Sequence, residues 1–125
     1  MNQFHGFKFH PQHTWIKAEQ NDCYVIGITP HAQEQLGDVV FVQSPEMGAK
    51  LAQGEVCGVI ESVKTAADLH APASGEVVAL NPVITDFPER LNSDPLGTWI
   101  VKIKLANPNE LEDLLDEAAY QQQLG

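Results

Sequence analysis

The stretch Glu61-Ser62-Val63-Lys64-Thr65-Ala66 holds the residues best placed to do chemistry. It lies between two similar openings, Gly54-Glu55-Val56 and Gly75-Glu76-Val77. The apolar, β-branched runs around it read as strands, which puts Lys64 at the tip of a hairpin. A tip side chain faces solvent while the paired strands hold its root. A visiting enzyme can acylate such an ε-amine, turning an ammonium into a neutral amide on a longer arm. An arm of that kind sweeps between active sites and delivers its load at high effective concentration. The bland alternative is an ordinary solvated lysine. Against it, Val63 and Thr65 flank the tip where a plain two-residue turn prefers Gly, Asn or Asp. Glu61 stands three residues ahead, where a docking enzyme can read its carboxylate, and acidic flanks suit a basic modifying enzyme.

The elements that must position this tip follow in chain order. Residues 1–12 read as irregular. His13 to Ala18 reads as a first strand with Trp15 as a core anchor, and Cys23 to Ile28 pairs back on it. Thr29 suits an N-cap, Pro30 the first helical turn and Gly37 the closure, which gives a short helix. Val39 to Val42 is a strand, and Met47 to Leu51 a turn with a short edge strand. In the strand Gly54 to Ile60, alternation places Val56, Gly58 and Ile60 on one face. Ala67 to His70 returns from the tip, and Glu76 to Leu80 follows. Asn81 to Leu96, with three prolines, reads as a surface loop with one helical turn. Thr98 to Lys104 is a last strand with Trp99, Val101 and Ile103 on one face. Asn107, Pro108 and Glu110 open a C-terminal helix whose stripe is Leu111, Leu114, Leu115 and Ala118. Many short strands, peripheral helices and no βαβ rhythm make a mainly-β barrel or sandwich.

Composition narrows the partners. The 125 residues suit one domain, 1–125, and 43% hydrophobic residues suffice for a core. Seventeen acidic residues against seven basic ones, a net charge of -10, argue against nucleic acid or an anionic membrane as partner. The N-terminus has no basic-then-apolar pattern and no stretch is long enough to span a bilayer, so the expected location is the cytoplasm. Cys23 and Cys57 are then expected to be reduced, buried thiols. A metal site built from His5, His10, His13 and Cys23 has no familiar zinc spacing, and none is expected.

Gly58-Val59-Ile60-Glu61-Ser62-Val63-Lys64-Thr65-Ala66 resembles the lipoyl-attachment segment of glycine cleavage system H proteins. His13-Thr14-Trp15 sits where that family has His-Glu-Trp. Gly27 to Val42, Ala71 to Val77, Asn92 to Pro95 and the C-terminal helix also match. The resemblance implies a flattened, quasi-symmetric barrel-sandwich hybrid of the lipoyl-domain kind, with no catalytic activity of its own. It implies lipoate in amide linkage to Lys64, attached by a lipoate ligase or lipoyl transferase that reads Glu61, Val63 and Thr65. Biotinyl domains place Met on both sides of the lysine, and Val63 and Thr65 do not fit that pattern.

Departures from the family gather where a loaded arm would be sheltered. Thr14 replaces the Glu of His-Glu-Trp, Gln12 replaces a Ser, and Ala67 replaces the Ser before the retained Asp68. The loop Asp94-Pro95-Leu96-Gly97-Thr98-Trp99 is shorter by one and lacks a Tyr and a Glu. An aminomethyl cargo is cationic, and a hydroxyl offers it no charge. These changes rank an H-like lipoate-binding protein of bacterial sulfur oxidation, partnered by a heterodisulfide-reductase-like complex, first. A dithiolane suits sulfur transfer by thiol exchange. The alternative is the glycine cleavage H protein, serving glycine decarboxylase, aminomethyltransferase and dihydrolipoyl dehydrogenase.

Overall fold

The computed structural model describes residues 6–19 and 22–124. Among the described residues nine strands form two antiparallel sheets: β1 (Phe7–His10), β2 (Thr14–Ala18), β3 (Cys23–Ile28), β4 (Val39–Gln43), β5 (Lys50–Leu51), β6 (Val56–Ser62), β7 (Ala66–His70), β8 (Gly75–Leu80) and β9 (Val101–Leu105). The larger sheet runs β1-β2-β3-β9-β8-β5 and the smaller one β4-β6-β7. The main core lies between them, with Ile16, Ile26, Ile60, Leu69, Ile100 and Ile103 all buried. Each such side chain contributes about 1.5–3 kcal/mol by leaving water. The mainly-β sandwich expected from the strand spacing is the architecture observed.

Helix α1 (Pro30–Leu36) begins and ends as its sequence dictates. The Thr29 hydroxyl accepts from the Ala32 N–H at 3.2 Å, Pro30 occupies the first turn, and Gly37 closes it at φ 81°. Two further short helices, α2 (Pro82–Asp86) and α3 (Arg90–Ser93), occupy the segment read as a surface loop. That expectation is corrected: Ile84 and Leu91 are buried in the main core. Asn92 also holds the start of β4, its side-chain oxygen accepting from the Val39 N–H at 2.8 Å.

The two ends of the chain depart most from expectation. Residues 7–10 are strand β1, paired with β2 in the register Phe7↔Lys17 to His10↔Thr14. Phe7 and Phe9 alternate onto a second, aromatic cluster with Trp15, Val25 and Tyr120. Phe9 and Tyr120 stack at 4.8 Å, and Phe7 meets Trp15 edge-on at 4.9 Å. The expected C-terminal helix is split. A 3-10 helix (Pro108–Asp113) precedes α4 (Glu117–Leu124), and Leu115 between them pairs with Phe9 through two 2.8 Å backbone bonds. Leu114 enters the main core while Leu115 packs on the aromatic cluster, so one helical stripe cannot serve both. Asn107 caps the 3-10 helix, with Pro108 at its start and Glu110 in its first turn as expected, and the Glu110 carboxylate also accepts from the Ser74 N–H at 2.7 Å and hydroxyl at 2.9 Å.

Two face assignments also change. The register of β6 slips between Val56 and Gly58, where a bulge inserts one residue against β7. Val56 is thereby turned out to solvent while Ile60 is fully buried. Trp99 lies outside β9 and packs with the aromatic cluster, whereas Val101 and Ile103 belong to the main core.

Trp15 fixes the junction between the sheet and the segment before β9. Its Nε1–H donates to the Pro95 carbonyl at 3.1 Å, and its ring lies against Gly27. A Cβ at Gly27 would sit 2.5 Å from the ring, and the ring is tied at that same edge by the Nε1 hydrogen bond. Gly27→Ala is expected to destabilise the fold by about 1–3 kcal/mol through overpacking. Urea unfolding reads this directly, and a variant as stable as the parent would refute the assignment.

Candidate functional site: a lysine hairpin beside a cleft

Strands β6 and β7 pair in the register Val59↔Asp68, Ile60↔Ala67, Glu61↔Ala66, leaving Val63, Lys64 and Thr65 as the tip. The tip closes without Gly, Asn or Asp because Ser62 supplies the missing bonds. Its hydroxyl accepts from the Thr65 N–H at 3.1 Å and the Lys64 N–H at 3.3 Å, and donates to the Thr65 carbonyl at 3.1 Å. The Ser62 N–H also donates to the Thr65 carbonyl, at 2.8 Å. From outside the hairpin, the Asp38 carbonyl accepts the Val63 N–H at 3.0 Å. The root of Lys64 is thus fixed on two sides while its side chain is exposed. The lysine stem runs over Gly37, where a Cβ would lie 3.4 Å from Lys64 Cε.

A cleft of about 330 Å³ opens beside the tip, within the usual range of small-molecule sites. Ile28, Ala32, Leu36, Ile60 and Ala67 make its apolar wall, and Gln12, His13, Thr14, Gln35, Thr65, Asp68 and His70 supply its polar groups. All four cleft residues singled out from sequence, Gln12, Thr14, Ala67 and Asp68, line this one space. Of the three residues assigned to enzyme recognition, Thr65 lines the cleft. Val63 is 71% exposed at the tip, and Glu61 is exposed on β6 opposite Phe41. Lys64 stands at the rim and does not line the cleft.

Two polar features of the wall bear on what the cleft can hold. The Thr14 hydroxyl is buried and has no hydrogen-bond partner among the described residues. Leaving such a group unsatisfied costs about 1–3 kcal/mol, and with the residue only 1% exposed the oxygen is turned away from the open part of the cleft. Asp68 is the one carboxylate among the lining residues described. A long apolar arm with a polar end fits these residues: a greasy wall and one carboxylate.

Sequence reading gave Ser62 no role of its own, took Gly37 only as a helix closure, and weighed His10 and His13 as metal ligands without seeing the hydrogen-bond network at His13. A Ser two residues before the lysine was the available signal, because hydroxyls close turns through their own backbone. His13 sits at φ 71°, and its ring lies 4.7 Å from that of His31. Its Nδ1 is 2.7 Å from the Tyr120 hydroxyl, which is itself 2.7 Å from the Thr29 hydroxyl. With a neutral imidazole accepting at Nδ1, each proton is used once. Ala32 N–H donates to Thr29, Thr29 to Tyr120, and Tyr120 to His13. No group of three or more potential metal ligands forms among the described residues, and His5 lies outside them. Cys23 and Cys57 are free thiols, half-buried where fuller burial was expected. Burial pushes the Cys57 thiol up to about 11, which keeps it protonated and unreactive.

A barrel-sandwich that presents one lysine on a rigid hairpin beside a narrow cleft is the architecture of a swinging-arm carrier domain. The comparisons make the class specific. The family model described as "Glycine cleavage H-protein" matches residues 7–125. The glycine cleavage system H protein of Shigella dysenteriae serotype 1 is 52% identical over 115 residues, covering 91% of this chain and 89% of the relative. That of Escherichia coli is 51% identical over the same length and coverage. The crystal structure of a glycine cleavage system H protein from Mycobacterium marinum superposes with a TM-score of 0.87 at 38% identity, covering 96% of this chain and 97% of that one. The chain belongs to the glycine cleavage H-protein family, whose members are non-catalytic carriers of covalently attached lipoate. The sulfur-oxidation reading finds no support in these relatives. No described helix is long and apolar enough to cross a membrane.

The His13 network carries a pH signature. Burial first, then the neighbouring His31, lowers the His13 pKa below 6.5. Burial and His70 do the same for His10. The native state therefore favours neutral imidazoles, and their contribution is complete above the unfolded pKa. It declines as pH falls through 6.5 toward the folded values, because the unfolded chain binds more protons there. The melting temperature is expected to fall between pH 7.5 and 5.5, and His13→Gln to flatten part of that fall. Identical slopes in the two proteins would remove His13 from the account.

Proposed function

We propose that this chain is one lipoyl-carrier domain of the glycine cleavage system, with lipoate in amide linkage to Lys64. The observation that carries the reading is the anchored lysine root beside the cleft, in a chain half identical to glycine cleavage H proteins. Attachment needs an activated lipoyl group, such as an acyl adenylate. The Lys64 nitrogen bonds to the acyl carbon, the nucleotide phosphate leaves, and the ammonium gives up two protons in becoming the amide. When bound, lipoate supplies a dithiol–disulfide couple that accepts the aminomethyl group at glycine decarboxylase and yields it to aminomethyltransferase. The dithiol so formed would need dihydrolipoyl dehydrogenase and a two-electron acceptor, such as an oxidised nicotinamide, to return to the disulfide.

The residues of the chain do the holding. Ser62 and Asp38 fix the root so that the arm pivots from one place. Ile28, Leu36, Ile60 and Ala67 exclude water from a docked arm. Asp68 offers the charge that a cationic aminomethyl group needs, and Thr14 stands in place of a second carboxylate. The Thr14 substitution had weighed toward a sulfur cargo. The change removes a favourable charge without placing a repulsive one against an ammonium, so it weakens the sheltering of that cargo without excluding it.

Two measurements test the proposal. Intact mass after incubation with lipoate ligase, lipoate and ATP is expected to show one lipoyl increment, lost in Lys64→Ala. An increment that survives Lys64→Ala would sink the attachment site. With purified glycine decarboxylase, aminomethyltransferase and dihydrolipoyl dehydrogenase, supplied with a one-carbon acceptor and a nicotinamide oxidant, the lipoylated protein is expected to support turnover of glycine. Asp68→Asn is expected to slow that turnover several-fold and Thr14→Glu to raise it. Absence of turnover with a fully lipoylated protein would overturn the glycine-cleavage assignment.

A further inference from the structure

The Lys64 hairpin has two faces, and only one belongs to the cleft. On its inner side the cross-strand row Val42–Ile60–Ala67 enters the core and the cleft wall. On its outer side the row Phe41–Glu61–Ala66 is exposed across all three strands of the small sheet. Residues paired across strands share a face, so this row is one continuous surface. Phe41 is 53% exposed, and Val40 equally so where the β4–β6 register shifts between Val39 and Phe41. Val63 at the tip is more exposed still. Three of the six large hydrophobic side chains that stand exposed among the described residues therefore lie within a few residues, by pairing, of Lys64. The carboxylates of Glu61 and Asp38 are exposed beside them. An apolar centre with a charged rim is the anatomy of a specific interface.

We propose that this outer face, centred on Phe41 with Val40 and Val63, seats the enzyme that acylates Lys64, and that the enzymes using the finished arm do not depend on it. The inference rests on Lys64 being the lipoylated residue. Reach separates the two classes of visitor. An unmodified lysine spans only a few ångströms, and here its stem lies along Gly37. An acylating active site must close over the hairpin root and so must contact its outer face. A lipoylated arm extends well beyond the root, and its dithiolane is presented at a distance from Phe41. The acidic rim selects a basic surface on the acylating enzyme and speeds encounter, while the apolar centre supplies the lasting contact.

The test uses the full chain, a purified lipoate ligase with lipoate and ATP, and the variant Phe41→Ser, with Phe41→Leu as the conservative control. Phe41 is already exposed, so its melting temperature is expected to stay near the parent value. The KM for the carrier in lipoylation is expected to rise about tenfold in Phe41→Ser with kcat little changed, and to recover in Phe41→Leu. Protein driven to full lipoylation with excess ligase is expected to be reduced by dihydrolipoyl dehydrogenase, with a reduced nicotinamide as the electron donor, at the parent rate. An unchanged KM overturns the proposal. So does an equal loss with the dehydrogenase, which makes the face a general docking surface, or a parent homodimer that Phe41→Ser dissociates, which makes it a self-interface. A parent protein that takes up no lipoate, or takes it up without Lys64, fails at the earlier step and overturns the attachment site itself.

Discussion

The backbone at the tip of the β6–β7 hairpin must satisfy its amides while leaving Lys64 free. Three N–H groups in succession, those of Val63, Lys64 and Thr65, find partners in Asp38 and the Ser62 hydroxyl. A Gly-rich turn would close as tightly but would leave the chain freer before and after acylation. Ser62 achieves closure with L-residues in ordinary conformations, so the tip residues on either side are available for recognition. The bond to Asp38 ties the tip to the segment after α1, and α1 is also one wall of the cleft. The root of Lys64 and one wall of the cleft are thereby built from the same short stretch of chain.

The cleft depends on the second, aromatic cluster as much as on the main core. Thr14 and Trp15 are neighbours on β2, one facing the cleft and the other facing Phe7 and Phe9. Tyr120 comes from the last helix, closes that cluster by stacking on Phe9, and reaches the cleft rim through its bond to His13. The C-terminal segment is therefore part of the support of the site. Its split into a 3-10 turn and a helix is what allows Leu114 and Leu115 to enter different clusters.

Local signals were legible where they acted locally. Thr29-Pro30 and Gly37 bounded α1 because caps are set by a few adjacent residues, and the strands around Lys64 followed from alternation and turn residues. Lys64 stood out as an attachment point from its place at a hairpin tip, whereas the four cleft residues were found through resemblance, since nothing in their spacing brings Gln12 and Thr14 to Ala67 and Asp68. The misreadings share one cause, which is tertiary pairing. Residues 7–10 alternate Phe-Lys-Phe-His, a strand pattern too short to stand out until β2 and Leu115 provide partners on either side. The helix through Leu115 had good propensity and a cap, but two backbone bonds to Phe9 and two separate cores outweighed them. Val56 left its expected face because a bulge shifts parity, and a bulge leaves little trace in a single sequence.

The pathway turns on how much one residue can weigh. Replacing a carboxylate by the Thr14 hydroxyl exchanges a charge-assisted bond for a neutral one, a difference on the order of 1 kcal/mol and so several-fold in the lifetime of a sheltered cation. That is enough to tune how long a carrier protects its load and too little to change which load it accepts. The identity of the cargo is set by the enzymes that dock, and docking uses surfaces spread over the chain. Half identity across 115 residues speaks to those surfaces in a way that a single position in the cleft does not. Thr14 alters the charge of the cleft wall at one place, and the family assignment rests on the many positions that the chain shares with its relatives.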